Sequence, residues 1–223
     1  MKKQFIIASF AAVALFLGSC GSNATEAGAA DSAATASTGA TTYKVDAAAS
    51  TIGWHGSKLV GIGEHNGTIA LQEGSLSVEN GNITAGSFVI DMTKLTCSDS
   101  LPQEFKDKLL GHLSADDFFN SAKFPTAKFE ISKCEAKADG DNTHVISGNL
   151  TLRDSTKNIS FPAKVAITET GVTADAKVTI NRLDWGINYD KANMSIDQKA
   201  QAKLKNGVVS KDMDITISLK ANK

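Results

Sequence analysis

Four histidines, one acidic pair and one arginine–tryptophan pair are the side chains whose types could do chemistry. His55, His65, His112 and His144 stand at none of the spacings that put two ligands on one helix face or one turn, so their pattern points to no metal. Glu64-His65 closes the glycine-punctuated run Gly61-Ile-Gly-Glu-His65 and reads as a solvated loop tip. Asp116-Asp117 could act as paired carboxylates in proton transfer. Behind Ser114 and ahead of Phe118-Phe119 they have a simpler use, as acids at the start of a helical turn. No nucleophile motif or glycine-rich phosphate loop occurs. Arg182 and Trp185, in Asn181-Arg-Leu-Asp-Trp185, are different. If Ile180 points inward, Arg182 shares its face, and a buried guanidinium must be paired. It is then either a polar anchor at the end of an apolar pocket or a structural link closing that end.

The elements that must position these residues are mostly strands. Ile159, Phe161, Ala163, Val165 and Ile167 alternate with Ser160, Lys164 and Thr168; Val172 to Ile180 repeat the pattern, as do Met213 to Leu219. One apolar and one wet face is the antiparallel signature. Asn80-Gly81, between Val78 and Ile83, supplies the two positive-φ positions of a tight hairpin. Thr51 to Lys58 reads as an early strand with Ile52 and Trp54 on one face, and Thr68–Gln72 and Ser75–Glu79 as two short ones. From Thr126, Ala127, Phe129 and Ile131 share a face. Two helices interrupt the strands. One runs from Pro102 to Leu110 with Leu101, Phe105 and Leu109 as an inward stripe, closed by Gly111. The other carries Ile196, Ala200 and Leu204, capped by Ser195 and Gln198. Phe118-Phe119 form a short plug before Phe124-Pro125 turns the chain extended. About eight strands with little helix to cover a sheet argue for an all-β, mainly antiparallel fold: a closed eight-stranded barrel with short helices at its ends. Phe118, Phe119, Phe129, Phe161, Val165, Val178, Ile180, Ile215, Ile217 and Leu219 should face its interior.

The chain ends carry separate information. Lys2-Lys3, the apolar run Phe5 to Leu17 and Leu17-Gly-Ser-Cys20 resemble a bacterial lipoprotein signal. That resemblance implies removal of residues 1–19, acylation of Cys20 and a cell-envelope address, with the outer membrane expected because Gly21 carries no acidic retention signal. Gly21 to Thr42 holds nothing apolar larger than alanine, so 20–42 is expected as a flexible tether ahead of a barrel over 43–223. With Lys2 and Lys3 removed, 21 basic side chains face 24 acidic ones, and Arg153 and Arg182 are the only arginines. Without a basic stripe, nucleic acid is excluded as a partner. Cys97 and Cys134 remain after acylation, and their parity in an oxidising compartment predicts a disulfide.

Several runs, taken together, are similar to the YceI-like polyisoprenoid-binding family. They are Tyr43-Lys-Val-Asp46 with Ser50, Asp116-Asp-Phe-Phe119, Phe124-Pro-Thr-Ala-Lys-Phe129, Gly148-Asn-Leu-Thr-Leu152, Phe161-Pro162 and Ile180-Asn-Arg-Leu-Asp-Trp-Gly186, in order from Tyr43 to Lys223. The resemblance implies an extended, lipocalin-like barrel that binds a long isoprenoid or quinone-like lipid in its lumen without catalysis or cofactor. Trp54, Phe118, Phe119, Phe129, Phe161, Val165, Val178, Ile180, Arg182, Trp185, Ile215 and Ile217 would form that binding lumen. Two departures stand out: Gly63-Glu-His-Asn-Gly67 replaces the family's Gly-x-Phe, and Arg153-Asp154 its Arg-Gly. An enzyme acting on an envelope lipid and a structural module with a filled barrel remain the alternatives; a homodimer is left open.

Overall fold

The computed structural model describes residues 24–59, 63–188 and 195–223, excluding the side chains of 205–207. The expected leader and Cys20 lie outside the described residues. The strands are β1 (Gly28–Ala29), β2 (Thr41–Val45), β3 (Thr51–Lys58), β4 (Glu64–Glu79), β5 (Asn82–Leu95), β6 (Thr126–Asp139), β7 (Asn142–Leu152), β8 (Ser155–Ile167), β9 (Gly171–Asn181) and β10 (Val209–Asn222). Helix α1 (Gln103–Ser114) joins β5 to the plug, a 3-10 turn (Arg182–Trp185) follows β9, and α2 (Ile196–Val208) leads into β10. β2 and β3 share one slot between β4 and β10, and with β10 also paired to β9 the sheet closes into an eight-strand barrel. All of its strand pairs are antiparallel.

Closure gives the molecule two unlike ends. The β4–β5, β6–β7 and β8–β9 turns define a hairpin end. There Asn80 and Gly81 hold φ 51° and 76°, as their types predict. The opposite, helical end carries α1, the 3-10 turn and α2. The two short strands expected over 68–79 form one long strand, because bulges near Leu71 and Ser77 absorb the change of face without breaking the pairing. Gly111 does not end α1: it has ordinary φ, and the helix runs on to Ser114. Ser114 is therefore the last residue of α1, and Asp116-Asp117 follow a helix instead of opening one. Ser195 and Gln198 do form the expected reciprocal cap, Ser195 N–H to Gln198 Oε1 at 2.9 Å and Gln198 N–H to Ser195 Oγ at 3.3 Å.

Residues 24–40, expected as free tether, are laid against the outside of the barrel. β8 and β9 pair only over Ala163–Ile167 and Val172–Ala176, which leaves an open seam toward the helical end. β1 fills it, with Gly28 and Ala29 paired to Asn158 and Lys157 and Thr25 N–H donating to Thr179 O at 2.6 Å. The strap then crosses β7, where the buried Asn149 side chain accepts from Asp31 N–H (3.0 Å) and donates to Asp31 O (2.7 Å). It continues past β6, with Ala34 N–H to Ile131 O (2.8 Å), and reaches the hairpin end, with Ser37 Oγ–H to Glu79 Oε2 (2.6 Å). Composition misses this because the strap is held by hydrogen bonds, main-chain pairs at an open strand edge and then the Asn149 and Glu79 side chains, which need no large apolar residues.

Candidate functional site: an apolar tunnel capped by polar links

Inside the barrel lies an elongated cavity of about 150 Å³. Its wall includes Met213, Ile215, Ile217 and Leu219 on β10 and Ala174, Ala176, Val178 and Ile180 on β9. Six residues of strand rise make it roughly 20 Å long, so its bore is one chain wide. Among the described residues no polar atom faces into it; Ser50, Thr51 and Ser218 edge it where β2 breaks to β3.

The pattern of burial shows that the barrel is not filled. At mid-height the inward side chains Ile52, Phe88, Phe129, Leu150, Ile215 and Ile217 are only partly buried, although they pack against the core. Below them Tyr43, Val78, Val172 and Ala221 seal the hairpin end. Phe129 is flanked by Phe88 and Phe161, with ring centroids 6.3 and 5.7 Å away. Gly148 opposite makes room for that ring: a Cβ there would overlap Phe129 and come within 2.7 Å of Glu130 O.

Of the side chains expected in the lumen, Phe119, Phe129, Phe161, Val178, Ile180, Ile215 and Ile217 line the cavity, and Leu219 joins them. Five others do not. Phe118 is buried edge-on against Phe119 at 4.8 Å, and its carbonyl accepts from Arg153 Nη1 at 3.0 Å. Val165 belongs to the sealed layer. Trp54 shares the inward face of Ile52 but sits beyond the cavity, where its ring lies beside Gly67 and Nε1–H donates to Thr96 O at 3.0 Å.

Arg182 and Trp185 lie at the helical end and do not line the cavity. Asn181 caps the turn through its side chain (Leu183 N–H to Oδ1, 3.1 Å), and Gly186 leaves it at φ 66°. The guanidinium of Arg182, 1% exposed, donates to Ile187 O at 2.6 Å, Ser210 O at 3.0 Å and Val209 O at 3.3 Å. Trp185 donates to Leu150 O at 2.9 Å. This is the geometry of the structural link stated for Arg182: Nε, Nη1 and Nη2 each donate to a main-chain carbonyl.

Glu64-His65 is strand, not a loop tip. His65 Nδ1 lies 2.7 Å from Asp99 Oδ2, and Asp99 also accepts from Asn66 N–H and Nδ2. Burial raises the Asp99 pKa, but hydrogen bonds from His65, the Asn66 backbone and Cys97 outweigh it, so the carboxyl titrates below its ordinary range. Among the described residues no three His, Cys, Asp or Glu side chains converge as a metal site.

The expected Cys97–Cys134 disulfide is overturned: both thiols are free. Asp91 pairs with Thr126, and the two cysteines lie six and eight residues from that pair in opposite directions. At about 3.3 Å per residue they sit on the order of 40 Å apart, far beyond bridging range. Burial, then the charge of Glu135, pushes the Cys134 thiol up to about 11.

Sequence reasoning missed Ile69, Leu71, Phe88, Ile90 and Ile131 in the wall. On β4 and β5 the inward positions change parity, from Leu71 to Leu76 and from Ile83 to Phe88, across the register shifts. A strict period of two cannot follow that change; the glycines Gly74 and Gly86 inside otherwise strand-like runs were the available signal.

Comparison with known proteins agrees with this architecture. The chain is 30% identical over 102 residues to Protein YceI of Escherichia coli O17:K52:H18 strain UMN026, covering 46% of each chain. It is 31% identical over 140 residues to a UPF0312 protein of Shewanella sp. strain ANA-3, covering 56% of this chain and 66% of that one. The matched stretch thus spans about half to two-thirds of those relatives. Two solved structures share the fold: Burkholderia cenocepacia BcnA (TM-score 0.53, 18% identity, 80% of this chain and 99% of that one) and a polyisoprenoid binding domain from Saccharophagus degradans implicated in plant cell wall breakdown (TM-score 0.55, 15% identity, 81% and 97%). The family model described as YceI-like domain matches residues 43–221, the whole barrel from β2 to β10, and the chain belongs to that family.

Proposed function

We propose that this protein is a non-catalytic carrier that holds one long apolar chain, of isoprenoid or quinone-like type, in its barrel at the cell envelope. The observation that carries the reading is the cavity: long, one chain wide, walled by apolar side chains and left open by a half-buried mid-height ring. Removing apolar ligand surface from water into such a bore is worth about 25 cal/mol per Å², and a wall without polar groups selects chain over headgroup. The name of the Saccharophagus degradans neighbour, a polyisoprenoid binding domain, agrees with this ligand class. The leader and Cys20 support an acylated, membrane-anchored form, with the outer membrane as the expected address.

Organic extraction of the purified protein followed by mass spectrometry should release a prenyl-type lipid. In Val178→Phe, which fills the bore from β9, the lipid recovered should fall severalfold while the fold persists. A filled barrel would instead yield no lipid from either protein, and the larger ring would cost about 1–3 kcal/mol of stability through overpacking.

A further inference from the structure

Every large apolar side chain that is exposed among the described residues lies at the helical end: Leu59, Phe105, Leu183, Ile196, Leu204 and Val208. Helix α2 supplies half of them and is mounted the wrong way round for a soluble protein. Among its described side chains Ala202 alone is buried, while Ile196 is 87% and Leu204 70% exposed. At about 100° per residue, Ile196, Leu204 and Val208 all point at least 120° away from Ala202. The apolar stripe legible in the sequence therefore faces outward. It continues into the barrel rim, because Leu59 N–H donates to Val208 O at 2.7 Å and seats Leu59 (63% exposed) beside the end of the helix.

Two further observations say what covers this surface. The helix carries the exposed Lys199 and Lys203, and Lys58 precedes Leu59, an apolar face with basic neighbours suited to anionic headgroups. The strap adds the geometry. Thr25 is pinned to Thr179, two residues from the end of β9, so the chain enters the barrel at the helical end. Cys20 lies five residues earlier, within about 17 Å even if that stretch is fully extended. That reach lets an anchor at Cys20 act at the end that carries the apolar rim.

We infer that the helical end is a membrane-docking rim: Leu59, Leu183, Ile196, Leu204 and Val208 enter the interface of an anionic bilayer beside the acyl chains on Cys20. The tunnel then stands upright on the membrane with its capped end toward the lipid. This rests on the proposed acylation for the anchor, but the rim contact itself does not need it.

The test uses the chain from residue 20 onward with Cys20→Ser, which cannot be acylated, and flotation with phosphatidylethanolamine–phosphatidylglycerol vesicles. The Cys20→Ser protein should float with them and bind less to pure phosphatidylcholine vesicles. Adding Leu59→Ser and Leu204→Ser should lower its partition by about tenfold or more, and Lys199→Glu with Lys203→Glu should weaken binding to the anionic vesicles alone. The melting temperature should not change, since all four positions are exposed. Flotation unaffected by the serine pair, or none by the parent, overturns the rim. So does a dimer that the serine pair dissolves, because a second copy would then cover the stripe. Mass measurement of the wild-type mature N-terminus keeps the anchor question separate: an unmodified Cys20 ends the acylation reading and leaves the flotation result standing.

Discussion

At the hairpin end, Tyr43, Val78, Val172 and Ala221 shut the barrel with apolar side chains, and tight turns leave little chain outside the sheet. At the helical end the same job falls to polar links: Arg182 on carbonyls, Trp185 on Leu150 O, His65 on Asp99 and Arg153 on Phe118 O. Apolar packing is non-directional and closes a space permanently. Directional links instead join separate pieces, a plug, a 3-10 turn and a helix, one hydrogen bond at a time. The contrast teaches that the two ends are closed by different physics, and it is the hydrogen-bonded end that carries the proposed membrane-docking rim.

Arg182→Ala should be the most damaging change at the helical end. It leaves the carbonyls of Ile187, Val209 and Ser210 buried without their donor and should cost about 3–5 kcal/mol, read by urea unfolding. A cost below about 1 kcal/mol would mean that packing around Trp185, not the guanidinium, closes that end. At the other end, Val172→Ala removes buried methyls from the sealed layer and should cost about 2 kcal/mol. Lipid content should be unaltered by it; altered content would mean that the tunnel reaches into the sealed layer.

Asn149→Ala tests the strap that joins the two ends. Its amide links Asp31 to Asn158 across the outside of the barrel, and its loss should cost about 1–2 kcal/mol. Limited proteolysis within residues 24–40 should accelerate; an unchanged cleavage rate would show that the main-chain pairs of β1 suffice.

Asp99→Asn should have the smallest effect and the clearest pH signature. The folded-state pKa of Asp99 is lowered, so its contribution is present above the ordinary carboxylate value, near about 4, and is lost as pH falls through the folded value. The variant should be weaker than wild type by about 0.5–1.5 kcal/mol at neutral pH and converge with it in acid. Val172→Ala, by contrast, should differ from wild type equally at every pH.

The strands were legible wherever apolar residues alternate without interruption. From Ile159 to Ile180 and from Met213 to Leu219 the period of two fixes both the element and its inward face, and all the lumen residues found from sequence other than those of the plug and β6 come from there. The Asn80-Gly81 turn and the Ser195–Gln198 cap were equally readable, since each depends on residues a few positions apart. Once parity shifts at a bulge, as on β4 and β5, local periodicity loses the register, and Phe88 disappears from view.

What sequence by itself determined is the class of the fold, its strand-rich order and the apolar character of its interior, because these follow from local pattern and composition. Only the tertiary structure decided the rest: that Cys97 and Cys134 stand far apart, that Arg182 is spent on carbonyls, that the Ala- and Thr-rich segment is a strap, and that the α2 stripe faces outward. Each of these depends on which distant strand edge, carbonyl or surface a residue meets. An amphipathic stripe has the same period whether it faces a core or a membrane, and a polar segment the same composition whether it is free or paired to an open edge.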